Sequence, residues 1–539
     1  MTDGGAGDRI RMSFYRVAAA GIAAIVLGAA LPAVASATDY CVGATGCAQA
    51  DSFGTLEQAL ATAESTADAD RVLVGPGEHK AQAVTGFSYD RPDRPVEIIG
   101  AGRGQTVLTG LSGGSGNVLF LNGGDGTSIH DLTIRIPANV AAGYRGLTLK
   151  DAARRIEVVQ ETGQTNSPSG VLLANGGTLS DSTVTMTDWG TKGVAMEKTG
   201  PAFPPNVIRD STIAGVQALY VDGGGRVERS YLIGETPAVY AMNGLTEIES
   251  SLLRITDTAG TVAFVTCESA NTQVRLEGDT LVGTGPANIT ALHATTSHGA
   301  DHDIDISIRD SILDAALPIV TGANGPGGIR VAAAFSAYDP SKNQLGGITT
   351  ADQTDILRGD PGFTDRAGWN FRLRPDSPLV DAGAPDAAQG IDLDGNPLLI
   401  DGNGDGSARR DIGAYEAPQP PSAEPPADTQ PHADTKAPVI SGFRAAKTRL
   451  RVAHGTRLRY TLSENARVTL RFQRIGRRGR PSAVGTLRRA GTKGLNRIRF
   501  SGRIGRRVLR PGRYRIVARA VDAAGNRSAP SVARFRIIR

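Results

Sequence analysis

The phrases Asp181-Ser-Thr-Val184 and Asp210-Ser-Thr-Ile213 are two copies of a short motif that recurs through the middle of the chain. Six further phrases share its pattern of a polar start and an apolar end: Asp131-Leu-Thr-Ile134, Glu157-Val-Val159, Ser230-Tyr-Leu-Ile233, Ser250-Ser-Leu-Leu253, Asp279-Thr-Leu-Val282 and Asp310-Ser-Ile-Leu313. The last residues of successive phrases lie 20 to 31 positions apart. A period of this length indicates stacked structural repeats.

The residues of each repeat indicate which kind of stack forms. Apolar and polar residues alternate in one short strand, and a turn rich in Gly or Asn follows. No repeat has a sustained helical period, which disfavours helical and leucine-rich solenoids, and a propeller blade needs about 40–45 residues. The chain is therefore predicted to be all-β, with a right-handed parallel β-helix whose inward aliphatic side chains fill the axis.

A helix and a turn precede the repeats. Thr55–Ala63 has the pattern of a short amphipathic helix, Arg71–Val74 that of a strand, and Gly75-Pro-Gly77 that of a turn. A helix at this place is expected to cover the first coil and to shield its apolar end from solvent.

The N-terminus has the features of an export signal. Basic residues precede the apolar run 17–31, and Ala35-Ser-Ala37 follows it as a small-residue cleavage site. We predict a signal peptide at 1–37 and a secreted or cell-surface protein, with a retained membrane anchor as the alternative. No second long apolar run is present, so the mature chain is expected to have no transmembrane span.

The three cysteines fall into two groups. Cys41 and Cys47 follow the predicted cleavage site closely, so a small disulfide loop is expected in an oxidising compartment. Cys267 then has no partner and lies in the apolar run 262–267, which predicts a buried, inert thiol.

The C-terminal part differs from the repeats in composition and charge. Residues 417–437 are rich in Pro and small polar residues, which predicts an extended linker. In 438–539, apolar and basic residues alternate in about seven short strands, which favours an immunoglobulin-like or fibronectin-like β-sandwich. From Lys436 onward the chain has 29 Lys and Arg residues and two acids, a net charge of +27, whereas the remainder sums to −23.

The charge of the basic module points to anionic partners. Solubility of a small domain needs a net charge of only about 2–8. The module is therefore expected to dock on anionic cell-envelope polymers in a salt-dependent way. Nucleic acid is not expected as a partner, because the chain is predicted to be exported and shows no nucleic-acid-binding motif.

Segment 360–416 contains five distinctive phrases: Asp360-Pro-Gly-Phe363, Phe371-Arg-Leu-Arg374, Ser377-Pro-Leu-Val-Asp-Ala-Gly383, Asp392-Leu-Asp-Gly-Asn396 and Asp411-Ile-Gly-Ala-Tyr-Glu416. With the repeats, they resemble secreted bacterial β-helix proteins of the pectate-lyase-like superfamily that carry a choice-of-anchor Q segment. The resemblance covers 38–416 and implies a secreted or surface-displayed β-helix, usually of unassigned activity. Residues 438–539 resemble bacterial Ig-like domains, through Leu509-Arg-Pro-Gly-Arg-Tyr514 among others.

Oxygen-bearing residues alternate with other residues near the end of this segment, and six of them are candidate ligands of a structural Ca²⁺: Asp392, Asp394, Asn396, Asp401, Asn403 and Asp405. The second triplet matches the first half of an EF-hand loop. The closing acid of such a loop is missing, because Ile412 stands in its place. The alternative is a pair of Asx-turns without metal.

A second polar cluster combines histidines with aspartates. His298, Asp301, His302 and Asp303 are candidates for acid–base or metal chemistry on a sugar. Neither the full set of groups expected of a lyase nor that of a glycosidase is present. The alternative is a charged loop and a solvated strand edge, since Asp303 is followed by alternating apolar and acidic residues.

Two further sets of residues have open roles. Trp189, Trp369, Tyr220, Tyr231 and Tyr240 are candidate sugar-stacking residues, with packing along the strands as the alternative. The Asp and Ser of the repeated motif are expected to cap a turn by accepting backbone N–H groups.

These features predict a cell-surface protein that binds carbohydrate or mediates adhesion without catalysis. The alternative is a polysaccharide lyase or glycoside hydrolase that acts on acidic polysaccharide, with its groove on the solenoid. A structural Ca²⁺ is the one cofactor that the sequence suggests.

Overall fold

The computed structural model describes residues 38–420 and 436–538, apart from residues 67, 164–165, 201, 284–287, 298, 300, 348, 452–454, 477–478 and 505–506. The predicted signal peptide 1–37 and residues 421–435 of the predicted linker lie outside this part. The chain divides into two compact units at residues 423/424. Within the described residues, no helix is long and apolar enough to cross a membrane.

Three parallel sheets build the first unit, and the chain passes through sheet A, sheet B and sheet C in turn, once per coil. Strands of successive coils pair in parallel in each sheet. This path is that of a parallel β-helix, so the predicted fold class is confirmed.

The strand bounds, in order along each sheet, are as follows. Sheet A contains Ser52–Phe53, Asp39–Val42, Asp70–Val74, Val96–Gly100, Ser128–His130, Ala152–Arg154, Thr178–Ser180, Asn206–Arg209, Gly225–Glu228, Gly244–Glu249, Thr272–Glu277, Ile304–Arg309, Ile329–Ala334 and Thr349–Thr354. Sheet B contains Gly77–Lys80, Thr106–Thr109, Thr133–Ile136, Glu157–Gln160, Thr183–Thr185, Thr212–Ala214, Tyr231–Gly234, Leu252–Ile255, Thr280–Val282 and Ile312–Asp314. Sheet C contains Phe87–Arg91, Asn117–Gly123, Arg145–Leu149, Ser169–Ala174, Lys192–Glu197, Gln217–Asp222, Val239–Met242, Gly260–Cys267, Ile289–Thr296, Leu317–Ala323 and Gln344–Leu345.

Aliphatic side chains stacked in register fill the axis of the helix. In sheet B, Ile134 pairs with Val158, Val158 with Val184, and Val184 with Ile213, and all four side chains are fully buried. Branched residues of this kind fit the pleated surface of a strand. Because their strand neighbours point outward, each coil hides its apolar side only against the coils above and below it.

Each of these coils turns from sheet A into sheet B within two residues. The first of the two adopts a left-handed backbone, as at Asp131, Asp181 and Asp210 with φ of 63°, 52° and 51°. Asp tolerates this conformation better than most residues. The predicted capping role does not hold for the carboxylates of Asp131 and Asp210, because they form ion pairs with Arg155 and Arg229 of the following coil, at 2.7 and 2.8 Å.

The second corner residue is a buried Ser in many coils, and these residues form a ladder of hydrogen bonds. The Oγ of Ser230 accepts the Ser211 N–H (3.2 Å) and donates to the Glu228 carbonyl (2.8 Å). The rungs in the described residues are Ser182, Ser211, Ser230, Ser251, Asp279, Ser311 and Ser336. The buried N–H groups at this corner therefore have acceptors without water.

We expect Ser230→Ala to lower the free energy of unfolding of the first unit by about 1–3 kcal/mol, because the Ser211 N–H then stays buried without an acceptor. Ser88→Ala is the control: Ser88 is exposed on sheet C, and its loss is expected to cost less than about 0.5 kcal/mol. Denaturant unfolding of the full chain measures both. Equal stability of the two variants would contradict the ladder.

The N-terminal end of the β-helix is covered by the α-helix Leu56–Ser65. The Thr55 hydroxyl caps this helix by accepting the Gln58 N–H. Leu56, Leu60 and neighbouring alanines bury their side chains in the same core as the first coils. Near this helix, Cys41 and Cys47 form the predicted disulfide. Cys267, at the end of a later strand of sheet C, is a buried free thiol.

Residues 360–417 do not continue the coils. The segment begins with the antiparallel hairpin Phe363–Asp365 and Asn370–Leu373 and then lies against the outer face of sheet B. Its buried apolar side chains pack against outward residues of that sheet, in a cluster that includes Leu252, Val282, Ile312, Phe371, Leu379, Ile412 and Tyr415. Ala417, placed by the sequence in the linker, is buried in this cluster as well.

Arg410 anchors the segment to the coils. Its side chain is 1% exposed. The Nη2 group donates to the Ser250 hydroxyl (2.9 Å) and to the Glu277 carbonyl (3.4 Å), and Nη1 lies 3.6 Å from the Glu277 carboxylate. Gly278 faces the guanidinium with a φ of +65°, and a Cβ atom at this position would collide with it.

Four buried carboxylates hold the turns of the same segment: Asp381, Asp392, Asp411 and Glu416. They accept backbone N–H groups rather than pairing with cations. Asp411 accepts the N–H groups of Asp381 (2.7 Å) and Ala417 (2.6 Å), and Glu416 accepts that of Asp411 (3.1 Å). The segment thus satisfies its buried backbone with acidic side chains.

The second unit consists of two antiparallel sheets around one core. Sheet D contains Ile440–Ala445, Thr456–Leu462 and Gly494–Phe500. Sheet E contains Arg449–Leu450, Ser531–Ile537, Gly512–Val521, Ala466–Ile475 and Pro481–Gly491, and a small pair contains Arg503–Ile504 and Arg507–Val508. These described strands exceed the seven predicted, because the short edge strands carry no clear alternation. Phe472 of sheet E stacks on Phe500 of sheet D at 4.7 Å, so the sheets pack face to face.

Candidate functional site

A row of aromatic side chains crosses the outer face of sheet C. Tyr220, Tyr240, Phe264 and His293 occupy the same register position in four successive coils. Their ring centroids lie 5.5, 5.2 and 5.1 Å apart. They point outward because their neighbours on either side in each strand are buried in the core. We call these four residues the aromatic row.

The rings of the aromatic row cover one another. The planes of Tyr220 and Tyr240 differ by 22°, and those of Tyr240 and Phe264 by 31°. All four side chains are half-buried. The rings of Tyr220, Tyr240 and Phe264 therefore stack on one another, whereas His293 meets Phe264 edge-on at 83°, and the two tyrosines offer ring edges and hydroxyls to a ligand. The predicted stacking of a sugar on Tyr220 or Tyr240 does not fit this arrangement.

Lys192 covers the outer face of the first ring of the row. Its Nζ lies 3.7 Å from the centroid of Tyr220, which is a cation–π contact. Burial lowers the pKa of Lys192, while the charges of Glu197 and Asp222 act in the opposite direction. Burial also raises the pKa of Tyr220 to about 12. The lysine therefore releases its proton more readily than a free lysine, and the phenol keeps its own.

Trp189 lies three residues before Lys192 in the chain. It belongs to the turn that leads from sheet B into the strand Lys192–Glu197, a turn closed by the Thr191 hydroxyl donating to the Asp188 carbonyl (2.7 Å). Its side chain is 83% exposed, the highest value for a large apolar residue in the described part of the chain. A tryptophan held out from a short turn supplies the large open ring that the row itself lacks.

The other predicted stacking residues, Trp369 and Tyr231, lie elsewhere and make packing contacts. Trp369 is in the hairpin of segment 360–417, where the Arg254 guanidinium lies 4.1 Å from its ring and Phe371 contacts it edge-on. Tyr231 is on sheet B, and its hydroxyl lies 3.3 Å from that of Tyr415. Both residues contribute to packing of the segment, which was the alternative given by the sequence.

The outer face of sheet D is cationic. Arg457 lies directly opposite Arg499, and Arg459 lies opposite both Arg497 and Arg444. Like charges that face each other across strands destabilise a sheet. In the described part of this unit, no ion pair relieves them, since these arginines have no acid within salt-bridge distance. We call this surface the D face.

The outer face of sheet E repeats this arrangement on the opposite side of the core. Arg513 lies opposite Arg536, and Arg515 lies opposite Arg534. A shallow depression of about 460 Å³ beside them is lined by further cationic and polar side chains: Arg471, Gln473, Arg515, Arg519 and Arg527. We call this surface the E face. The alternation of basic and apolar residues therefore produces a cationic patch on the outer face of each sheet.

Comparison with known proteins bears on the fold. The chain matches no family model and no curated protein. The A-module of the Azotobacter vinelandii mannuronan C-5 epimerase AlgE4 is 14% identical, with 57% of this chain and 92% of that one covered and a TM-score of 0.36. The PL6 family alginate lyase AlyGC is 10% identical, with 77% and 61% covered and a TM-score of 0.36. The Pseudomonas fluorescens DNA glycosylase AlkC is 17% identical, but only 20% of this chain and 32% of that one are covered, with a TM-score of 0.15.

The first unit is a parallel β-helix by its own strand pairing. These distant similarities assign no activity to it. The assignments of a choice-of-anchor Q segment and of an Ig-like domain stay predictions.

The structure describes three of the four residues in the predicted cluster of histidine and aspartate: Asp301, His302 and Asp303. His298 lies outside the described residues. Asp301 and Asp303 are exposed, and the Asp303 carboxylate accepts the Gly328 N–H at 2.8 Å. The His302 carbonyl accepts the Cys267 thiol (3.2 Å). Among the described residues, no group of three or more His, Cys, Asp or Glu side chains is placed to hold a metal ion.

The predicted calcium ligands are engaged with the backbone. The carboxylate of Asp401 accepts the N–H groups of Gly404 (2.7 Å) and Gly406 (3.0 Å), and Asn403 and Asp405 each accept the N–H two residues on. Asp392 is fully buried and accepts the N–H groups of Asp394 and Asn396, while the Asp394 carboxylate pairs with Arg372. These are the hydrogen bonds of Asx-turns. The Asx-turns predicted as the alternative are thus present, and the structural Ca²⁺ stays a prediction.

Proposed function

We propose that the protein binds a polysaccharide on sheet C of the β-helix and is held at an anionic surface by its second unit. The observations that support this most directly are the exposed Trp189, in the turn that leads into the strand of Lys192, and the aromatic row on the outer face of sheet C. An open indole ring, ring edges, phenol hydroxyls and an ammonium group suit a chain of sugars, which presents apolar C–H faces and many hydroxyls. Parallel strands hold Lys192 and the aromatic row in fixed positions, and the Thr191–Asp188 hydrogen bond closes the turn of Trp189.

The second part of the proposal concerns attachment. The D face and the E face carry cationic side chains directly opposite one another, and guanidinium groups bind carboxylate or phosphate in a bidentate manner. An acidic envelope polymer would remove the repulsion that the folded unit otherwise bears. A secreted or cell-surface location is part of this proposal, based on the export features at 1–37.

Trp189→Ala is expected to weaken binding of the full chain to polygalacturonate or alginate about tenfold or more, because the ring is the largest open contact. About 0.5 M salt in the assay suppresses the contribution of the second unit, since it shortens the Debye length to a few Å. Trp369→Ala is the matched control, because its ring is already covered by Arg254. Isothermal titration measures both, and equal affinities would contradict a sugar site at Trp189.

A second candidate function is a lyase for acidic polysaccharide, favoured by the contact between Lys192 and Tyr220. In such a reaction a base removes the proton next to the uronate carboxylate, and the glycosidic oxygen leaves with its bonding electrons as a new C=C bond forms. Lys192, whose pKa is lowered, is the group suited to accept that proton. The test is the ultraviolet absorbance of unsaturated product after incubation with an acidic polysaccharide. An absorbance that rises with the wild type and not with Lys192→Met supports the lyase function. An absorbance that does not rise with the wild type supports binding without catalysis.

A further inference from the structure

The D face and the E face lie on opposite sides of one thin unit. Sheets that pack face to face are about 10 Å apart, and their outward side chains point in opposite directions. Arg457, Arg459, Arg497 and Arg499 belong to one side, and Arg513, Arg515, Arg534 and Arg536 to the other. The described chain between Pro438 and Ile538 thus carries two cationic surfaces separated by an apolar core.

The two faces are similar enough to bind the same kind of ligand. The D face holds three pairs of directly opposed arginines and the E face two, and neighbouring strands lie about 4.8 Å apart. The acids of the unit do not reach them: Asp522 binds the Asn526 side chain and its N–H, and Glu464 contacts Ser463. Neither face therefore has an internal counter-charge that would reserve it for another part of the chain.

From this geometry we infer that the second unit bridges two chains of a linear anionic polysaccharide, one on each face, and so cross-links the polymer to which it docks. This inference rests on the proposed anion binding and adds a second, independent binding face to it. One polymer strand cannot neutralise both faces without folding around the unit. Two strands relieve the repulsion on each face independently, and Debye screening limits the effect of one bound strand on the other.

The consequence differs from simple docking. A protein with one anionic-polymer site coats the polymer, whereas a protein with two sites on opposite sides joins separate chains into a network. The acidic first unit does not compete for this role, since its net charge has the same sign as the polymer.

A two-step capture assay on the full chain tests the inference. Poly-L-glutamate on beads captures the protein, and fluorescent soluble poly-L-glutamate is then added; this probe carries carboxylates without sugar rings, so sheet C is not engaged. The wild type is expected to retain the soluble polymer. A D-face variant (Arg457→Gln, Arg459→Gln, Arg497→Gln, Arg499→Gln) and an E-face variant (Arg513→Gln, Arg515→Gln, Arg534→Gln, Arg536→Gln) are expected to bind the beads but to retain at least tenfold less soluble polymer.

The outcomes separate the two proposals. Failure of the wild type to bind the beads at low salt overturns anion docking itself. Bead binding without retention of soluble polymer leaves docking intact and overturns bridging. Retention by both single-face variants also overturns bridging by opposite faces and points to self-association. Thermal unfolding of each variant, and binding of the D-face variant through its intact E face, show that the unit still folds.

Discussion

Raising the pH from about 5 to about 9 is expected to destabilise the first unit by several kcal/mol, because two of its buried acids keep their protons in the folded state. Burial raises the pKa of Asp411 from 3.8 to about 7 and that of Glu416 from 4.5 to about 9, and the negative charge of Asp411 adds to the effect on Glu416. Both lie in the turns that hold segment 360–417 against sheet B.

The direction follows from comparison of the folded and unfolded states. In the unfolded chain these acids lose their protons near their ordinary pKa values, about 4. In the folded chain they lose them only near 7 and 9. The stability they contribute is therefore complete below about pH 4 and is lost as the pH rises through the folded-state values. Each pKa unit corresponds to about 1.4 kcal/mol.

Glu416→Gln isolates this effect, because the amide keeps the shape and the acceptor oxygen of the protonated acid. We expect the free energy of unfolding of the variant to exceed that of the wild type by about 2 kcal/mol or more near pH 9. Near pH 5 the two free energies are expected to be similar. Glu247→Gln is the control, since Glu247 forms a surface ion pair with Arg275. Denaturant unfolding across the pH range gives the result. Wild-type stability that rises toward pH 9, with the variant following in parallel, would refute the prediction.

Arg410→Ala is expected to lower the free energy of unfolding by about 3–5 kcal/mol, because it removes a buried charge together with its packing. The guanidinium lowers the pKa values of Asp279 and Asp310, which burial otherwise raises. Its loss leaves these acids and the Ser250 hydroxyl facing a cavity. Arg275→Ala serves as the control, because exposed ion pairs contribute about 1 kcal/mol or less. Equal losses in both variants would argue against an anchoring role for Arg410.

Gly278 allows a sharper test of the same contact. Gly278→Ala is expected to be destabilising for two reasons: the left-handed backbone and the collision of its methyl group with Arg410. In the Arg410→Ala background only the backbone cost remains. The two substitutions are therefore expected to be less than additive by about 1 kcal/mol or more in a double-mutant cycle. Strict additivity would show that the guanidinium does not occupy the space beside Gly278.

The coils could be predicted from the sequence because one strand in each coil contains a similar short motif. The place of segment 360–417 could not, since its apolar residues have no period in common with the coils. One feature of the sequence does indicate where the segment lies. The outward residue of the sheet B strand is Thr183 or Thr212 in earlier coils and Leu252 or Ile312 in later ones, and an apolar outward position indicates that something covers it.

The candidate site was predictable in parts. The sequence indicated Trp189, Tyr220 and Tyr240 as candidate residues. It did not predict that Tyr220, Tyr240 and Phe264 share one register position. That register depends on connections whose lengths differ from coil to coil, so spacing alone does not align the rings. Lys192 was missed for the same reason. The opposed arginines of the second unit could be recognised as outward residues, whereas their pairing required knowledge of which strands are neighbours.

The corner between sheets A and B has a constant length of two residues from Ser128–His130 through Ile312–Asp314, although the motif spacing varies between 20 and 31. The variation in coil length therefore falls in the strands and in the other two connections. An inserted peptide can be accommodated there without shifting a rung, whereas one extra residue at the constant corner would turn every later side chain of that strand to the wrong face. The molecule thus has one edge fixed by its internal architecture and two edges free to diversify, and new recognition loops are best grafted, or sought in evolution, on those two.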